Sequence, residues 1–359
     1  MAAKFTHMEA LKQSMELLEH GTEKQQALGD LLYDRAQFRY ACLGAIAPDV
    51  FYFYKIFSRR KNAVGLAWGN RAHHRRVFEL LLSFLDQIRE APKGPERDRQ
   101  LAFVMGYLCH CGVDIVTHPY IFYITGDPYS DNPADAWDAQ SNHLRVEFAL
   151  DSYLVHKRWG ITPREYNFKK YLRGTDEIDE NKKRTLDRSI WRLWVRGLKQ
   201  TFTEEFEAEY PGNVDRIEPE DLLNESYAGF LRFNSVTDVR SRLIRFFLYL
   251  IDWLTFRRLR IRYLILPNPM RVDPRLPNES GEEWKYPAEP SKVSKESFME
   301  LVHRAARFSM KLMSDGMDYI NGDMKRADFE KAYLGYNLDT GTRSDSLAMK
   351  AFDPIRDEK

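Results

Sequence analysis

The chain has 359 residues and balances 54 Lys+Arg against 53 Asp+Glu for a formal net charge of +1, so no global field gathers nucleic acid. An apolar fraction of 43% and an aromatic fraction of 13% build a sizeable core beneath 30% charged residues, which excludes a chain disordered throughout. At about 150 residues per domain the length corresponds to roughly two units, or to one large helical core with an extension.

The N-terminus, MAAKFTHMEALKQSMELLEHG, has polar residues every two or three positions and lacks the apolar run of a secretory signal, so the expected location is cytoplasmic. Apolar residues recur at helical spacing through most of the chain and no alternating strand pairs stand out. The periodicity predicts an all-α fold with helices near 6–20, 24–43, 71–90, 98–117, 137–157, 163–173, 178–209, 219–231, 236–265 and 294–320. Cys42, Cys109 and Cys111 lie in apolar stretches and are expected as free, buried thiols. The stretch 120–136 (YIFYITGDPYSDNPADA) carries Pro128 and Pro133 among Asp and Asn and reads as a loop. The most apolar window, LIRFFLYLIDWL at 243–254, is interrupted by Arg245 and Asp252 and falls short of the roughly 20 apolar residues that span a bilayer. Between 266 and 290 stand Pro267, Pro269, Pro274, Pro277, Pro287 and Pro290, which forbid a helix and suggest a boundary before a C-terminal helix. From Gly335 onward the polar sequence reads as a loosely attached tail.

The segment FVMGYLCHCGVDIVTHPY places His110, Asp114 and His118 at successive four-residue steps. Each step turns a helical side chain by only about 40°, so all three project from one side. NHLRVEFALDSYL repeats the device with His143 and Glu147. Imidazole nitrogen and carboxylate oxygen are ligands that zinc accepts, and two such helices face to face provide for two metals. Burying so many ionisable groups without metal leaves charge unpaired at considerable cost.

The order of these segments resembles the zinc-dependent phospholipase C family. A histidine near the start of the first helix matches KFTHMEAL with His7, and an aromatic-rich Pro-Asp turn matches GAIAPDVFYFY with Asp49. A histidine opening the next helix matches AHHRRVFELLLSFL with His73 or His74, of which His73 better fits the family's spacing. The His-x-x-x-Asp helix follows with His110, Asp114 and His118, and the His-x-x-x-Glu helix with His143 and Glu147. The resemblance implies a multi-helix bundle of the phospholipase C and single-strand nuclease type. It implies one zinc among Asp49, His73, His110 and Asp114, a second among His118, His143 and Glu147, and a third shared by Asp114 and His7. Secreted members complete that third site with a processed N-terminal tryptophan; here His7 is preceded by MAAKFT.

On this reading the chain divides into a phospholipase C-like core over 1–160, a helical continuation over 161–265, a proline-rich linker over 266–293 and a C-terminal helix with a polar tail over 294–359. The implied activity is zinc-dependent phosphodiester hydrolysis with a phospholipid as substrate, Asp49 orienting or deprotonating the water. Two alternatives stand beside it: a nuclease-like phosphodiesterase of the same fold, and a non-catalytic metal-stabilised lipid-binding or scaffold protein. Asp151, four residues beyond Glu147, is expected to support the ligands or lie at the surface. Glu300 and His303 have the spacing of a di-iron motif but lack its second copy. Arg240, Arg242, Arg245, Arg257, Arg258, Arg260 and Arg262 interleave with Phe246, Phe247, Tyr249, Trp253, Phe256 and Tyr263, a pattern that fits core-bridging ion pairs, peripheral contact with an anionic membrane or binding to nucleic acid.

Overall fold

The computed structural model describes residues 4–56, 58–178, 182–237, 242–256 and 260–357. Arg240, Arg257 and Arg258 lie outside them. The chain is all-α: α1 (Lys4–Glu19), α2 (Glu23–Tyr33), α3 (Arg35–Gly44), the single turn α4 (Ala47–Val50), α5 (Arg59–His74), α6 (Val77–Glu90), α7 (Pro95–Thr125), α8 (Pro133–Trp159) and the short α9 (Pro163–Tyr166) come first. After a hairpin of β1 (Asp176–Ile178) and β2 (Arg184–Leu186) follow α10 (Arg188–Thr201), α11 (Thr203–Glu209), α12 (Leu222–Thr237) and α13 (Arg242–Leu254). A second antiparallel hairpin, β3 (Trp284–Tyr286) and β4 (Glu289–Ser294), precedes α14 (Phe298–Asn321) and α15 (Arg326–Tyr333).

The axis of the fold is α7, flanked by α3, α14, α1, α8 and α6. It is long and apolar enough to cross a membrane, yet its apolar window is wholly buried in protein, as befits a central core helix. Two glycines bring α3 and α7 into backbone contact: a Cβ on Gly44 would lie 1.9 Å from the Phe103 carbonyl oxygen, and one on Gly106 1.9 Å from that of Ala41. Only residues without a side chain allow that approach, and it sets His110, one turn beyond Gly106, against the end of α3.

The structure corrects several expected boundaries. The helix expected over 24–43 breaks at Asp34, whose carboxylate accepts hydrogen bonds from the N–H groups of Ala36 and Gln37 and so caps α3. The helix expected over 71–90 is two, because Arg76 adopts a left-handed conformation at φ 53° and α5 ends at His74. The loop expected from 120 begins only after Thr125: Pro119 is accommodated inside α7, which runs on until Gly126 turns to φ 102°. The 178–209 helix gives way at its start to the β1–β2 hairpin, and the 236–265 helix ends at Leu254.

The proline-rich segment is non-helical apart from one 3-10 turn at Pro269–Arg271, but it does not divide the interior into separate cores. Phe298, Leu301, Val302, Ala305, Leu312 and Met313 of α14 belong to one hydrophobic core with α1, α6 and α7. Nor is the tail loose. Asn337, Leu338, Asp339 and Thr340 are buried, and the main chain beyond is stitched down by Lys350 N–H to Pro287 O, Asp353 N–H to Tyr123 O and Ile355 N–H to Ile124 O.

Candidate metal centre

Eight side chains from five helices converge in the core. His7 comes from the first turn of α1, where main-chain N–H groups have no intrahelical partner. Asp151 of α8 meets that need: its carboxylate accepts from Phe5 N–H at 3.1 Å, Thr6 N–H at 2.8 Å and Thr6 Oγ at 2.8 Å. Burial is the largest influence on this carboxyl and pushes it up to about 7, against the pull of those donors and of Lys4. Asp151 is thus a buried support that sets the position of His7. Asp49 stands in α4 directly after Pro48, and His73 at the end of α5. His110, Asp114 and His118 lie one turn apart on α7, and His143 and Glu147 do the same on α8. All eight are buried.

Asp114 is central. Its carboxylate oxygens lie 3.0 Å from His110 Nε2, 3.4 Å from His7 Nε2, 3.6 Å from His118 Nε2 and 3.8 Å from His73 Nε2. Asp49 lies 3.4 Å from His73 Nε2 and 3.9 Å from His7 Nε2. Glu147 Oε1 lies 3.2 Å from His143 Nε2 and 3.8 Å from His118 Nε2. Among the described residues three sets have ligand atoms within 4.8 Å of one another: His7, His110 and Asp114; Asp49, His73 and His110; His118, His143 and Glu147.

The hydrogen bonds on the far side of the rings test whether this donor set fits a metal. His73 Nδ1 donates to Gly69 O at 2.8 Å, His110 Nδ1 to Ala45 O at 3.0 Å and His118 Nδ1 to Leu338 O at 3.0 Å. A neutral ring whose Nδ1 carries the proton presents a lone pair at Nε2, and in all three Nε2 faces carboxylate oxygen. His110 Nε2, Asp49 Oδ2 and Asp114 Oδ2 are buried without a hydrogen bond. Lone pairs turned on one another at such separations repel unless a cation or proton lies between them, so the residues fit zinc.

The local field agrees. Burial pushes His7 down to about 3, with His110 adding to the effect, which keeps the ring neutral. Burial alone would raise Asp114, but His110, His118 and His7 outweigh it and hold the carboxyl well below its usual range. Burial opposes the charged forms of His110 and His118, yet Asp114 and its neighbours lift both, so metal entering here displaces protons.

Of the adjacent pair, His73 turns into the cluster and His74 turns away. His74 Nε2 donates to Asp339 at 2.8 Å; Tyr129 Oη also donates to Asp339, whose other oxygen lies 3.5 Å from His118 Nδ1. Asp339 therefore belongs to the centre although it lies 221 residues beyond His118. The signal for it is local: in NLDTGT the Asn337 side chain accepts from the N–H groups of Asp339 and Thr340, a side-chain turn that orders the segment. Leu338 N–H donates to His73 O, and Gly341 at φ 65° sits where a Cβ would lie 2.4 Å from Ile115 O. Pro119 lacks the N–H that would bond to that carbonyl; the tail occupies the opening.

Glu300 and His303 stay outside the centre. Glu300 forms the capping box of α14 with Ser297, and His303 lies 3.4 Å from Gln13.

Residues 6–210 match the family model described as zinc dependent phospholipase C. No curated protein and no solved structure matches the chain. The family match covers more than half of the sequence, all eight converging residues lie within it, and the chain belongs to the zinc-dependent phospholipase C family.

Proposed function

We propose that this protein is a zinc-dependent phosphoric diester hydrolase that cleaves a phospholipid on the phosphate's glycerol side. The observation that carries the reading is the set of imidazoles whose Nδ1 protons are committed to main-chain carbonyls while their Nε2 atoms face buried carboxylates. Asp49, His73, His110 and Asp114 would hold one zinc; His118, His143 and Glu147 a second; and His7 with Asp114 a third. Bound there, zinc supplies Lewis-acid binding of the phosphate oxygens and lowers the pKa of water toward neutrality.

The chain's own contribution is positional and basic. Asp49 Oδ2, buried and without a hydrogen bond, takes the proton from the water that attacks phosphorus as the bond from phosphorus to the glycerol oxygen breaks. The departing oxygen takes up a proton from solvent water to give the diacylglycerol, and the phosphorylated headgroup leaves as the second product. The Gly69, Ala45 and Leu338 carbonyls hold the His73, His110 and His118 imidazoles in orientation.

The test is zinc analysis coupled to turnover. Protein purified without chelator should carry at least two zinc equivalents. Asp49→Asn should lose phospholipid hydrolysis by about 100-fold or more while keeping the zinc held by His118, His143 and Glu147. Single-stranded nucleic acid offered to the same preparation separates the nuclease reading, and a zinc-loaded protein inactive on both substrates supports the scaffold reading. Full activity in Asp49→Asn removes Asp49 from the chemistry.

A further inference from the structure

Beyond the family-matched region, α13 is built inside out. Arg245 and Asp252 face the protein. Asp252 is buried and accepts the Ile261 N–H at 2.8 Å, with Arg262 Nε 3.9 Å away, and Arg245 Nη2 donates to Leu266 O at 3.4 Å. Its apolar residues face out: Phe246 is 60% exposed, Phe247 57%, Trp253 66% and Phe256, just past the helix, 87%, with Leu243 and Leu254 beside them. A water-soluble surface helix has the opposite arrangement, and a contiguous apolar face of this size marks a contact surface.

Length and charge select what covers it. Thirteen residues extend about 20 Å, short of the roughly 30 Å hydrocarbon core, so the helix cannot span a bilayer and would lie in its surface. From 240 to 262 the sequence holds seven arginines against the single acid Asp252. Arg260 and Arg262 are turned to Asp138 and Asp357, and Arg240, Arg242, Arg257 and Arg258 flank the apolar run in sequence. Two copies docked face to face would bring like charges together, whereas an anionic headgroup layer complements them while acyl chains receive the aromatic side chains. Arg260 also ties this unit to Asp138, on the helix that carries His143.

We propose that α13 and Phe256 form an interfacial anchor that seats the protein on an anionic phospholipid bilayer. The surface deepens the phospholipid reading and rests on it for its purpose, but it is tested by binding rather than turnover, so either can fail while the other stands.

Zinc-loaded full-length protein should float with vesicles of phosphatidylcholine and phosphatidylserine, more than with phosphatidylcholine alone, and less as salt is added. Replacing two of the outward rings, Phe247→Ser with Trp253→Ser, should cut partitioning by at least about tenfold. Zinc content and turnover of a soluble short-chain phosphodiester should be unchanged. Trp253→Phe should keep vesicle binding and remove the emission that brominated acyl chains quench in the wild type, a readout that holds even if the double variant fails to fold. Absence of wild-type flotation, undiminished binding in a folded double variant, or quenching unaltered in Trp253→Phe overturns the anchor. Self-association abolished by the same double substitution would replace the bilayer with a second copy.

Discussion

Asp339 answers two histidines at once, accepting a hydrogen bond from His74 and standing 3.5 Å from the Nδ1 of His118. Burial alone would raise its carboxyl, but His74 and His118 hold it well below the usual range, so it is ionised at neutral pH. Asp339→Asn removes that charge and turns either an amide donor or a neutral oxygen toward rings that are themselves donors. Supports of this kind tune ligand orientation and basicity, and their loss costs about 10–100-fold in metal affinity. A competition titration against a chromophoric chelator should show zinc binding weakened within that range, and an unchanged affinity would make Asp339 a packing residue only. At this scale the converging residues were legible where local spacing carries them, as with His110, Asp114 and His118 on one helix face. The orientation of His73 over His74 depends on where α5 ends, and Asp339 on a turn closing across more than two hundred residues, which no helical period records.

The close crossing of α3 and α7 carries the alignment of His110 on Ala45 O, because Gly44 and Gly106 let the two backbones touch. Gly106→Ala drives a methyl into the Ala41 carbonyl, an obstacle of rigid main chain rather than of flexible side chain. Overpacking of this kind costs about 1–3 kcal/mol, and the separation of the helices should also lower zinc occupancy. Gly29→Ala in α2 is the matched control, since the nearest atom to its Cβ would be Leu18 Cβ at an ordinary 3.5 Å. It should stabilise by about 0.5–1 kcal/mol through helix propensity. Urea unfolding of the pair decides the matter, because equal effects would deny the crossing any special role. Elements were legible in proportion to their apolar periodicity: α1 and α14 stand close to the expected spans. The start of α5, RRKNAVGLAWGN, is too polar and basic for its helical period to stand out, and the three-residue strands β1, β2 and β3 are too short for alternation to register.

At the scale of the whole molecule, the C-terminal segment closes what the N-terminal half begins. Leu338 accepts from His118 Nδ1 and donates to His73 O, while Asp353 and Ile355 bond to the last turns of α7. Asn142 and Arg145 of α8 donate to Ile355 O, so the same segment braces α7 and α8 together. Its polar composition hid this role, because Asn337, Asp339 and Thr340 are buried through hydrogen bonds rather than through apolar area. A chain ending at Leu334 would retain all eight converging residues, lose Asp339, and open the His118 face to water. If the centre were complete within the family-matched region, that truncation would bind zinc as the full chain does. The structure predicts otherwise: the truncated protein should remain helical by circular dichroism and lose at least one zinc equivalent. It should no longer show the rise in melting temperature that zinc gives the full chain through preferential binding to the folded state. Retention of full zinc content and of that rise would show that the C-terminal segment covers the centre without supporting it.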